Sequence, residues 1–175
     1  MFAECNLVVV SNLVEPEDIA MLPFDRYPSA GHVLAGRLRR GDETSRGGYG
    51  LDLASRTRQT TCAYCGLDLV HSFEYWLLLS GDHVVPQGAA RAAGIPIHFY
   101  EDIANLVLAC QGCNGFLNRF VPDLSTEGEE WTEDQFIQLR DRIFVERRSL
   151  IAQRREIERK LFESALWTEL RNIVD

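Results

Sequence analysis

The chain has no apolar run approaching the roughly 20 residues needed to cross a bilayer. Its longest candidates, Leu7–Val10 and Tyr75–Leu79, read as strands. The opening Met-Phe-Ala-Glu has no basic region leading into an apolar one, so no secretory signal is expected and a cytoplasmic location is the default. No internal repeat is visible. Positive charge is scarce: 18 basic residues face 26 acidic ones, for a net charge of −8. That balance argues against a nucleic-acid partner for the chain taken as a whole.

The charge is unevenly spread. Between Arg37 and Arg58 stand six arginines against three acids. Between Asp123 and Asp134 there are only acids. A locally basic segment can grip DNA, weakly and less so as salt rises. Arg37, Arg39 and Arg40 are its candidates for the DNA backbone, with a solvated face as the equal alternative.

What the chain does have is a core. Hydrophobic residues make up 46% of its 175 positions, which suits one domain with an appendage. Residues 1–60 form an extension that is partly loop-like, with a helix opening at Glu15–Asp18 and a glycine-rich loop over Gly41–Gly50. Residues 61–120 carry the motifs. Within them Phe73–Leu79 predicts a strand, Gly94-Ile95-Pro96 a loop, and Asn114–Phe120 a short helical stretch. Residues 121–175 open on an acidic linker. Thr132-Glu133-Asp134-Gln135 then offers a capping box. Phe136, Ile143, Leu150 and Ile157 recur every seven residues, with Leu139 and Leu161 between them, so one long amphipathic helix is expected, its arginines on the other faces. That helix packs on its own domain or serves a homodimer or protein partner.

Five cysteines are present, and four stand as two C-x-x-C pairs, Cys62/Cys65 and Cys110/Cys113. With no signal peptide, paired C-x-x-C reads as zinc rather than disulfide. Each turn presents two thiolates, and two turns complete a closed tetrahedral site of structural type. The alternatives are a redox-active pair or four unrelated buried cysteines. Forty-four residues separate Cys65 from Cys110, so the metal would staple a sizeable insertion. Cys5 stands alone and reads as a small buried hydrophobe.

Inside that insertion lies Asp82-His83, with Asn105 just before the second pair and Asn114 just after it. The carboxylate of Asp82 and the carbonyl of Asn114 are hard oxygen ligands for Mg2+ or Mn2+. Histidine is the side chain whose unperturbed pKa lies close to neutral, so His83 suits a general base acting on water. His32, His71 and His98 lack such a setting and read as structural or exposed.

Taken together, Cys62-Ala-Tyr-Cys65, Asp82-His83-Val84-Val85-Pro86 and Asn105-Leu-Val-Leu-Ala-Cys110-Gln-Gly-Cys113-Asn114 resemble the HNH endonuclease family in its zinc-containing form. The resemblance covers about a third of the chain. It implies an α+β, ββα-metal core related to the treble clef, and hydrolysis of DNA phosphodiesters with one divalent ion. By resemblance His83 is the general base, Asp82 and Asn114 hold the ion, and Asn105 fixes the loop that carries the histidine. Two positions depart from the family. Asn114 stands where histidine is common, and Leu117 where a lysine often contacts phosphate. Asn118 and Arg119 are the substitutes for that contact.

Overall fold

The computed structural model describes residues 23–27, 31–38, 50–117, 120–124 and 130–174. The expected Leu7–Val10 strand, the Glu15–Asp18 helix opening, Cys5 and nearly all of the Gly41–Gly50 loop lie outside the described residues. So do Arg39, Arg40, Asn118 and Arg119.

The architecture is α+β. A 3-10 turn at Pro23–Arg26 and a helix α1 at Leu51–Thr57 precede the cysteine-bearing stretch. There the chain folds back at Cys62–Gly66. Cys62 N–H donates to the Leu67 carbonyl at 2.8 Å, and Gly66 N–H to that of Cys62 at 2.9 Å. Gly66 has a φ of 74°, a conformation that glycine adopts without strain. Helix α2 (Phe73–Leu77) follows, then strand β1 (Leu79–His83), short helices α3 (Gln87–Ala92) and α4 (Ile97–Tyr100), and a 3-10 turn at Ile103–Asn105. Strand β2 (Leu106–Cys110) pairs antiparallel with β1, with Leu79 opposite Cys110 and His83 opposite Leu106. Helix α5 (Gln111–Phe116) then packs against both strands.

β2 is Leu-Val-Leu-Ala-Cys and buried at every position, as an apolar run covered on both faces should be. α1 and α5 both touch it. β1 is Leu-Ser-Gly-Asp-His and buries only Leu79 and Asp82.

The stretch Phe73–Leu79, expected to be a strand, divides instead. Residues 73–77 are helical, and the strand begins at Leu79. Ser72 explains the start: its side chain accepts from Tyr75 N–H, the mark of an N-cap. Phe73, Tyr75 and Leu77 stay exposed, so apolar character here did not signal burial.

Helix α6 runs Glu133–Phe162, with the Thr132/Gln135 capping box present in full. It ends at Glu163, so the expected long helix is present and holds every residue of the seven-residue pattern, and a separate helix α7 (Ala165–Val174) follows it. The first two thirds of α6 lie in the core through Phe136, Leu139, Ile143, Phe144 and Ile151. Leu150, Ile157 and Leu161 are exposed, so the seven-residue pattern outlasts the packing.

The arginines are the larger correction. The arginines of this helix were expected on the faces away from its apolar stripe, yet Arg140 and Arg147 are 0% and 3% exposed. A guanidinium buried this far must spend its donors within the protein. Arg140 donates to the carbonyls of Gly31 and Ala104, pairs with Asp141, and stacks 3.7 Å over the ring of Phe24. The core is continuous from Phe24 and Leu53 through the hairpin to α6. Among the described residues no helix is long and apolar enough to cross a membrane.

Candidate functional site

The hairpin places two constellations, one at each end. At the Leu79–Cys110 end the sulfurs of Cys62, Cys65, Cys110 and Cys113 all lie within 4.8 Å of one another. All four are free thiols, and Cys65 Sγ stands 3.9 Å from Cys110 Sγ, far beyond a disulfide bond. The first turn is docked on the second strand by Ala63 N–H donating to the Leu108 carbonyl. The second turn opens α5, where Cys110 Sγ caps the helix by accepting from Cys113 N–H. The sulfurs of Cys113, Cys62 and Cys65 together hold Cys110 well below the usual thiol range. Four cysteines are thus positioned to hold a metal ion. Arg155 Nη1, 3.9 Å from Cys113 Sγ, adds positive charge beside them.

At the His83–Leu106 end an open cleft of about 260 Å³ is lined by Asp82, His83, Gln87, Asn114 and Arg147, among others. Three residues expected from sequence, Asp82, His83 and Asn114, therefore share one cleft. Asn114 reaches it from α5, where its Nδ2 donates to Ser80 Oγ at 2.9 Å. His83 ends β1 and is partly buried. Gln87 Nε2 lies 3.0 Å from His83 Nε2 and donates to Glu101 Oε1 at 2.7 Å. An amide nitrogen only donates, so His83 Nε2 takes the lone-pair role against it.

Asn105 is 0% exposed and lies beneath the loop that follows His83. Its Oδ1 accepts from Val85 N–H at 2.9 Å, and its Nδ2 donates to the carbonyls of Val85 and Tyr100. Its own carbonyl accepts from Val84 N–H at 2.9 Å. One buried asparagine thus pins the two residues after the histidine, Val85 by its side-chain amide and Val84 by its backbone carbonyl.

Asp82 is 7% exposed and ion-paired with Arg147, Nη2 to Oδ2 at 2.8 Å. The same oxygen accepts from Tyr64 Oη at 2.6 Å. Arg147 Nη1 also donates to the carbonyls of His83, at 2.6 Å, and Val84, at 2.9 Å. Burial, and then the charge of Asp82, push the Tyr64 phenol well above its ordinary range, so it stays a donor.

Comparison with family models, curated proteins and solved structures finds no match. The resemblance therefore rests on the sequence motifs alone.

Tyr64 and Arg147 were not singled out from the sequence. Tyr64 is an inner residue of a C-x-x-C turn, where nothing in the spacing marks it. Arg147 left a signal: Phe136, Arg140, Ile143, Arg147 and Ile151 fall on one helical stripe, and an arginine on an apolar stripe needs a buried partner. Arg37 is exposed and its backbone forms an isolated antiparallel β-bridge with Asp102, whose carboxylate accepts from the N–H groups of Ala35 and Gly36. It does not line the cleft. His32, His71 and His98 are exposed.

Proposed function

We propose that this chain is a metal-dependent HNH-type endonuclease that hydrolyses phosphodiester bonds in DNA, built on a ββα-metal, treble-clef-like core stapled by zinc. The observation that carries this reading is the meeting of Asp82, His83 and Asn114 on one cleft, over a loop pinned by Asn105. Four thiolates within 4.8 Å suit zinc, which leaves no coordination position for water and serves structure alone.

In the cleft Asp82 and Asn114 would hold Mg2+ or Mn2+, two oxygens that leave room for water and phosphate. When bound, the ion supplies charge stabilisation at the scissile phosphate and the leaving oxygen. His83 Nε2 takes the proton of the attacking water, displacing its contact with Gln87. Asn105 keeps His83 at the mouth of the cleft by holding Val84 and Val85. Asn118, Arg119 and the basic segment with Arg37, Arg39 and Arg40 supply backbone contacts to DNA, which makes binding weak and salt-sensitive. A cytoplasmic setting keeps the four thiols reduced and able to bind metal.

The second reading is a zinc module that binds nucleic acid or a protein without cutting. Its support is that a guanidinium already pairs with Asp82. The exposed Ile157, Leu161, Leu166 and Trp167 on α6 and α7 give that reading a face for a protein partner or a second copy. Incubation of the zinc-loaded chain with supercoiled plasmid, with and without Mg2+ or Mn2+, separates the two. Ion-dependent nicking or linearisation supports the nuclease, and intact plasmid under every ion supports the binding module.

A further inference from the structure

Asp82 carries a buried carboxylate on a strand, and such a group must be compensated by donors. Both contacts among the described residues fall on Oδ2, from Tyr64 Oη at 2.6 Å and Arg147 Nη2 at 2.8 Å. A carboxylate oxygen accepts about two hydrogen bonds, so Oδ2 is filled. We infer that Tyr64 and Arg147 are positioning residues for the ion: they hold Oδ2 of Asp82 and leave Oδ1 as the oxygen offered to the cleft. This rests on the reading of Asp82 as an ion ligand.

Tyr64 belongs to the first cysteine turn and Arg147 to α6, so the carboxylate is gripped from two separate elements. The Tyr64 ring is itself fixed, stacked at 5.4 Å on Phe144 of α6. Arg147 does a second service, because its Nη1 holds the carbonyls of His83 and Val84. One guanidinium thus sets both the ligand and the backbone of the base. It also makes the C-terminal helix part of the site, although every motif lies before residue 120. Ligating carboxylates are characteristically hydrogen-bonded by such outer partners, whose loss costs about 10–100-fold in metal affinity.

The rival role for Arg147 is a competing cation that keeps the ion out, and it has the opposite sign. The test titrates Mn2+ into the zinc-loaded full chain without nucleic acid, following free Mn2+ by electron paramagnetic resonance. Asp82→Asn should lose the site. Tyr64→Phe and Arg147→Gln should each weaken Mn2+ binding by about 10–100-fold, with zinc content and far-ultraviolet circular dichroism unchanged. Should Arg147→Gln lose its zinc or its fold, Tyr64→Phe decides alone, since it removes one hydroxyl and keeps the ring. Unchanged affinity in Tyr64→Phe, tighter binding in Arg147→Gln, or no Mn2+ binding by the parent chain overturns the inference. Plasmid cleavage is scored separately. A chain that shows the expected affinity losses but never cuts keeps the inference and loses the nuclease reading. A chain that cuts with unchanged affinities does the reverse.

Discussion

At the Leu79–Cys110 end of the hairpin, four sulfurs from two turns gather within 4.8 Å. At the His83–Leu106 end, the holding is done by hydrogen bonds from Asn105 and Arg147, two buried polar side chains distant in sequence. The two ends are four residues apart along each strand. One end suits a metal that closes the structure. The other leaves an open cleft, with side chains held from behind and facing outward. The difference teaches a division of labour: a closed site can carry stability because nothing need enter it, and an open one needs scaffolding that does not occupy the opening.

The largest effect expected from breaking this comparison is at the sulfur end. Cys110→Ser removes one of the four sulfurs, while the serine hydroxyl can still cap α5. Structural zinc contributes about 10–16 kcal/mol of apparent binding free energy in small zinc domains, so the variant should lose metal and unfold. Zinc content and a thermal melt check this. Acidification should act in the same direction. Thiolates must be deprotonated to bind, so zinc is retained at neutral pH and released as pH falls, read with a colorimetric zinc indicator.

At the hydrogen-bonded end, Asn105→Ala should cost less and act differently. It orphans the Val85 N–H and two buried carbonyls, each worth about 1–3 kcal/mol. The melting temperature should drop with zinc still bound, and cleavage should fall because the His83 loop is loosened. Loss of zinc in this variant would show that the two ends are one unit. The smallest effect lies farther out. Ile157→Ala, at a position 58% exposed, should shift stability by no more than about 0.5 kcal/mol in urea unfolding. Ile143→Ala, in the same heptad position but fully buried, should cost about 2–5 kcal/mol.

Much of this was legible in the sequence, for identifiable reasons. The C-x-x-C pairs announce themselves by spacing, and Thr132-Glu133-Asp134-Gln135 by the chemistry of a cap. Local chemistry of that kind survives whatever the rest of the chain does. The strand expected over Phe73–Leu79 failed because aromatic content stood in for burial, while the Ser72 cap chose a helix. The seven-residue pattern of α6 named the right helix and the wrong extent of packing, because periodicity records a face and not what covers it. The roles of Tyr64, which nothing in the sequence marks, and of Arg147, which shows only as a charge on an apolar stripe, were hidden for a third reason. Their importance comes from one carboxylate, Asp82, that lies 18 residues from one and 65 from the other. Only the fold brings them to it.

His83 carries the proposed chemistry. The measurement that tests it most directly is the rate of supercoiled plasmid cleavage in Mn2+ by the zinc-loaded parent and by His83→Ala. The substitution removes the proposed base and leaves Asp82, Asn114, Asn105 and the cysteines in place. General-base catalysis contributes about 10²–10⁴-fold, so the variant should cut slower by that order, with zinc content and melting temperature unchanged. Equal rates for the two proteins would contradict it.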